Sequence, residues 1–253
     1  MKFINKIKEF DILLNPPNKI YYKGQLELLK KRKIAIIGSR RMSIYTKNCI
    51  FELAKLCKNA GICVVSGGAL GVDITAANAA FPNTIAVFAN GLDEIYPKSN
   101  KKYIENIYQE ALALSEHEGN YMPKPYDFLL RNRLIIALSE VVVIAQADIQ
   151  SGSMQSARLA LSMNKPIYVL PQRIKESDGT NLLLSQKQAI LLHNFSHFVS
   201  MFGKIEKKDD ELLEFLKIED DLEKILYRFG DKIYEYELEG LVEICGLKVR
   251  SKI

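Results

Sequence analysis

The sequence predicts an α/β protein: a doubly wound, mostly parallel sheet followed by a small helical appendage. Three observations carry this. Short apolar runs alternate with amphipathic stretches, polar Gly- or Ser-containing loops follow several of these runs, and the charge balance changes sign near residue 204. Strands alternating with helices imply βαβ units, which assemble into a parallel sheet with helices on both faces.

Residues 1–32 open the chain. Around Asn15-Pro16-Pro17-Asn18 and Tyr21-Tyr22-Lys23-Gly24 they read as an extended, proline-stiffened lead-in and not as a domain. The first strand is expected at 34–37 and runs straight into Gly38-Ser39-Arg40. A helix over 43–60 follows, because Ile50, Leu53, Ala54 and Cys57 share one face. Gly61 then suits the left-handed position that ends a helix. Further strands are expected at 62–65, 84–88, 111–114, 141–144 and 167–170, with an edge strand at 190–192. Helices are expected at 70–80, 100–109, 128–139, 153–163 and 181–187. Beyond Gly203 come a charged linker, 204–210, and two short amphipathic helices at 211–217 and 220–229. The domain expectation is therefore 1–203 and 204–253.

With 253 residues, 48% hydrophobic and 26% charged, the chain can fill one large core and a small second one. No apolar run approaches the roughly 18 residues of a membrane helix, and residues 1–9 lack a signal peptide's apolar stretch. Insertion into a membrane is not expected. Cys49, Cys57, Cys63 and Cys245 include no Cys-x-x-Cys pair, so reduced thiols in a cytoplasmic protein are expected. Residues 204–253 hold 10 Lys+Arg against 14 Asp+Glu, a net of −4; residues 1–203 hold 25 against 16, a net of +9. A basic body points to a polyanionic partner.

The loops after the strands carry the chemistry, since open α/β sheets bind ligands at the carboxyl ends of their strands. Gly38 admits close backbone approach, Ser39 supplies a hydroxyl, and Arg40 offers a planar fork for phosphate oxygens. The amides of the helix starting near Ser43 point at the same anion. Ser66-Gly67-Gly68 follows the second strand, Asn90 to Lys98 the third, and Ser151-Gly152-Ser153 the fifth. Phe128, Arg131, Asn132 and Arg133 lie on a helix ahead of the fifth strand. Arg131 and Arg133 are two residues apart and cannot share a face, so one suits ligand and the other an internal ion pair. Phe128 reads as core unless an exposed groove passes it. Asp73 reads as a helix cap or backbone anchor before a partner of Glu94 in acid–base work.

What is missing narrows the field. There is no Gly-x-x-x-x-Gly-Lys-Ser/Thr phosphate loop and no Gly-x-Gly-x-x-Gly after the first strand. His117, His193 and His197 are the only histidines and none lies in these loops, which argues against histidine catalysis and histidine metal ligands. Two competing classes stay open: a small enzyme acting on a nucleotide or nucleoside, and an assembly module whose basic loops meet protein carboxylates.

Taken in order, Tyr21-Tyr22-Lys23-Gly24, Gly38-Ser39-Arg40, 65–73, 91–97, Arg131-Asn132-Arg133, Ser151-Gly152-Ser153 and Gly179-Thr180-Asn181 resemble the DNA processing protein A (DprA, or Smf) family over roughly 16–202. The resemblance implies a Rossmann-like domain with a basic pocket for single-stranded DNA. It further implies a homodimer that protects incoming DNA in natural transformation and loads the RecA recombinase, with no catalysis and no cofactor. It gives Arg40 the DNA-binding arginine's role, with Lys98 or Lys124 as its basic partner. Ser66, Gly67, Gly68, Arg131, Asn132, Arg133, Ser151, Gly152 and Ser153 match the remaining pocket motifs. Two departures stand out: Ala76-Ala77 where the family commonly has Ala-His, and Gln146-Ala147 where it commonly has Glu-Ala. The tail resembles the winged-helix-like domain of some members; being acidic, it suits protein contact better than duplex DNA.

Overall fold

The computed structural model describes residues 2–204, 211–238 and 240–252. The chain divides into two compact units, Met1–Ile205 and Glu206–Ile253, so the expected linker at 204–210 falls almost wholly outside the described residues.

In the first unit the strands are β1 (Lys2–Ile4), β2 (Ile20–Gly24), β3 (Lys33–Ile37), β4 (Cys63–Ser66), β5 (Thr84–Phe88), β6 (Leu112–Ser115), β7 (Val141–Ile144), β8 (Ile167–Val169) and β9 (Ile190–Leu191). The helices are α1 (Ile44–Asn59), α2 (Val72–Ala80), α3 (Lys101–Glu110), α4 (Asp127–Leu138), α5 (Gly152–Ser162), α6 (Asp178–Ser185) and α7 (Phe195–Ser200). All strands join one sheet in the order β1-β2-β6-β5-β4-β3-β7-β8-β9. From β6 to β9 the pairs are parallel. The chain winds outward from β3 to β6 on one side, then returns to pair β7 with β3 and winds outward on the other. The point of reversal lies between β3 and β7, where doubly wound sheets open a crevice.

Alternation along each strand divides the core into two layers. Ile34, Ile36, Val64, Val141 and Val143 pack with Ile50 and Leu53 of α1 and Ala76 of α2. Ala35, Ile37, Val65, Val142 and Ile144 face the other way, against Leu134 and Ile135 of α4 and Ala157 of α5. Both faces are covered, which is why these strands read as unbroken apolar runs.

The lead-in is more than an extended tether. β2 pairs antiparallel with β6, placing Tyr21 opposite Ser115 and Gly24 opposite Leu112, and β1 pairs antiparallel with β2. Ile20 and Tyr21 are buried. Gly24 sits at φ +98°, and a β-carbon there would fall 2.0 Å from the Ala111 carbonyl oxygen. The strand exists because of a partner about ninety positions away, beyond the reach of local pattern.

The second unit runs α8 (Glu211–Leu216), α9 (Leu222–Phe229), α10 (Lys232–Leu238) and a hairpin of β10 (Val242–Cys245) and β11 (Lys248–Ser251). Leu212, Ile225, Ile233, Val242 and Val249 form its core. Two of these helices answer to the expected 211–217 and 220–229; α10 and the hairpin are additional.

Candidate nucleic-acid interface

A cleft of about 590 Å³ opens at the carboxyl ends of β3 and β7. Gly38 and Arg40 line it from the loop after β3, and Ser151, Gly152 and Ser153 from the start of α5. Phe128, Arg131 and Asn132 enter from α4, and Tyr96 from the loop after β5.

Close backbone contacts fix the loop after β3. Gly71, at φ +78°, leaves room where a β-carbon would lie 2.3 Å from the Ser39 carbonyl oxygen. The Val72 N–H donates to that carbonyl, and the Ser39 N–H donates to the Gln146 carbonyl across the crevice. The Gln146 side chain completes the tie: its oxygen accepts from the Ser43 N–H and its amide donates to the Glu176 carbonyl. A glutamate would lack that second donor. Gln146 therefore fastens the start of α1 to the loop holding Glu176.

Asp73 and Arg131 anchor the loop after β4. Both are buried, at 7% and 6% exposure. Asp73 Oδ2 accepts from the Gly67 N–H at 3.0 Å, while Arg131 donates to the Gly67 and Val87 carbonyls. Asp73 is thus the backbone anchor, and helix α2 starts at Gly71 without a side-chain cap. Burial raises the Asp73 pKa against the opposing pull of Arg131 and the Gly67 N–H. Burial likewise pushes Arg131 down to about 10; Asp73 pulls it up, and Arg40 pushes it further down. The two guanidiniums sense each other across the cleft. From Arg131 a hydrogen-bonded chain continues through Asn132 and Ser156 to the Gly152 carbonyl, coupling α4 to the first turn of α5.

Arg40 differs. Its side chain is exposed, forms no salt bridge among the described residues, and rests with its guanidinium carbon 5.3 Å from the centre of the Phe128 ring. Tyr96 flanks Phe128 at 5.9 Å between ring centroids. Phe128 is only half-buried, which corrects the expectation of a core residue: it lies on the first turn of α4, at the open rim of the cleft.

Gly38, Arg40, Phe128, Arg131, Asn132, Ser151, Gly152 and Ser153 meet in the cleft. Gly67 borders an adjoining recess with Phe88, Asn90 and Pro97. The other residues are placed differently. Ser66 is fully buried and its hydroxyl donates to the Ile36 carbonyl. Gly68 is buried beneath Phe88. Ser39 turns its own loop, its hydroxyl accepting from the Arg41 N–H. Lys98 and Lys124 are exposed but outside the lining. Arg133 leaves the cleft for Glu116 and the Asn15 carbonyl. Neither arginine of the pair is free: Arg131 braces the floor and Arg133 ties α4 to the lead-in. The helix start that lines the cleft is that of α5, where Ser151 accepts from the Met154 N–H, and not that of α1, whose start is occupied by Gln146 and by its own cap, Ser43. Tyr96 and Gln155 also line the cleft; a large aromatic before a proline in a strand-end loop was the available signal for Tyr96.

A family model described as DNA recombination-mediator protein A matches residues 3–203. The DNA processing protein DprA of Streptococcus pneumoniae is 35% identical over 179 residues, covering 69% of this chain and 63% of that protein. DprA of Bacillus subtilis is 35% identical over 163 residues, covering 63% of this chain and 55% of that protein. The matched stretch thus spans less than two thirds of these curated relatives. Among solved structures, DNA processing protein A from Helicobacter pylori is 50% identical with a TM-score of 0.78, covering 79% of this chain and 94% of that one; the study concerns that protein's single-stranded DNA binding mode. The Streptococcus pneumoniae DprA structure is 32% identical with a TM-score of 0.73, covering 78% and 71%. With the doubly wound sheet, the cleft at its point of reversal and a family match across the whole first unit, this chain belongs to the DNA recombination-mediator protein A (DprA/Smf) family.

Proposed function

We propose that the cleft binds single-stranded DNA, chiefly through backbone phosphates, and that the protein delivers that DNA to recombination. The carrying observation is Arg40, an exposed guanidinium that forms no salt bridge among the described residues, laid on Phe128 at the rim of the cleft. A single strand offers both a phosphate for the fork and an unstacked base for the ring. The bases of a duplex remain stacked and cannot offer that face. The remaining first-turn N–H groups of α5 add donors suited to an anion. The Helicobacter pylori relative, named for single-stranded DNA binding, and the mediator family support the same reading.

On this reading the protein is non-enzymatic. The lining holds no histidine, and its one carboxylate, Asp73, is bonded to the Gly67 N–H. Protection of incoming DNA, loading of RecA, a homodimeric state and a cytoplasmic location complete the proposal, on the strength of family membership. No helix among the described residues is long and apolar enough to cross a membrane. The competing reading is a nucleotide- or nucleoside-processing enzyme. Anisotropy titration of oligo-dT against free mononucleotides, at two salt concentrations, separates them. Oligomer binding that weakens steeply with salt supports the proposal; tight mononucleotide binding with turnover contradicts it.

A further inference from the structure

We infer that the DNA strand leaves the cleft along the groove between α4 and α5, with Arg158 taking a phosphate there. This rests on the cleft reading and extends its path. The groove, about 470 Å³, is lined by Leu129, Leu130, Arg133, Gln155, Arg158 and Leu159. Leu129 and Gln155 line the cleft as well, so the two concavities share a wall and run into each other. The space beside Gly152 is open: a β-carbon there would meet only Leu129 Cδ2, at 3.8 Å.

The lining has the chemistry of a strand-binding track. Leu130, half exposed at 50%, and its neighbour Leu129 give an apolar shelf on which an unstacked base loses contact with water. No carboxylate lines the groove. Arg133 is engaged by Glu116, whereas Arg158 is exposed and forms no salt bridge among the described residues. Arg158 lies six residues into α5 from Gly152, about 9 Å along the axis at about 1.5 Å per residue. Cleft-lining Ser156 precedes it by two residues, so a strand that continues past the cleft meets Arg158 next. An acidic amphipathic peptide would match the same chemistry, but the shared wall favours the polymer already seated next door.

The test is anisotropy with two oligo-dT lengths: about two nucleotides, short enough to stay in the cleft, and about sixteen, the upper end of known single-strand site sizes. The shorter is read by competition against the longer. Arg158→Ala is expected to weaken the longer oligomer about fivefold and reduce its salt slope by about 0.7, the value of one lost phosphate contact on single strands. Arg158→Glu is expected to weaken it further. Neither variant is expected to change the affinity of the shorter oligomer, which ends before the groove. Unchanged binding of the longer oligomer, or equal loss at both lengths, overturns the groove path and leaves the cleft standing. Wild-type protein that binds neither length overturns the cleft reading itself.

Discussion

Asp73 and Arg131 grip one residue between them: the carboxylate accepts the Gly67 N–H at 3.0 Å and the guanidinium donates to the Gly67 carbonyl at 2.5 Å. There is no space for a side chain in this arrangement. A β-carbon on Gly67 would lie 2.5 Å from Asp73 Oδ2 and 2.6 Å from Arg131 Cζ. Gly67→Ala is expected to lower stability by about 1–3 kcal/mol, the usual cost of overpacking a filled interior. Gly152→Ala, whose β-carbon meets ordinary contact, is expected to stay within about 0.5 kcal/mol. Urea midpoints of the two variants check this; equal values would mean the grip is absent.

The two cleft arginines are predicted to separate stability from binding. Arg131→Met removes donors to two buried carbonyls and leaves Asp73 without its neighbouring cation. Leaving a buried carbonyl without its donor costs about 1–3 kcal/mol, and here there are two. Arg40→Ala, at an exposed site, is expected to change stability by no more than about 0.5 kcal/mol. Chemical denaturation that finds both variants equally unstable would contradict the division.

Asp73 also predicts a pH dependence. Burial raises its pKa above the ordinary 3.8, so the native state holds a proton that the unfolded chain releases. Stability from this group is fully present below the unfolded value and is lost as pH rises through the native one. Asp73→Asn, whose amide oxygen still accepts from Gly67, removes that slope. Between pH 4 and pH 7 the parent is expected to lose urea midpoint relative to the variant. A parent that gains on the variant with rising pH would show a depressed pKa instead.

Phe128 is half-buried at the rim, beneath Arg40 and beside Tyr96. Phe128→Leu keeps apolar bulk but removes the stacking face. It is expected to weaken oligo-dT binding by about 1–3 kcal/mol, the value of one stacked base, with a smaller change in thermal stability. Loss of stability without selective loss of binding would return Phe128 to the core.

The elements legible in the sequence are those whose signal is local. Ile34–Ile37 and Val141–Ile144 pair with each other at the centre of the sheet and are covered on both faces, so their apolar runs announce them. Arg40 was legible because a cation immediately past a central strand has one place to go. The rest depended on distant partners. Arg131 and Arg133 are the same residue type on one helix; only the peptides at Gly67 and Val87, and Glu116 on another loop, decide that the first is buried and the second paired. The start of α1 looked like an anion site until Gln146, about a hundred positions later, filled it. β2 was hidden by the prolines before it and by a partner strand far along the chain.

The most direct test of the account is the salt dependence of oligo-dT binding by Arg40→Ala. Loss of one phosphate contact is predicted to weaken binding to every base composition alike and to make the logarithmic salt slope shallower by about 0.7. Affinity and slope identical to those of the parent would show that the strand does not pass Arg40, and the assignment of the cleft would fall with it.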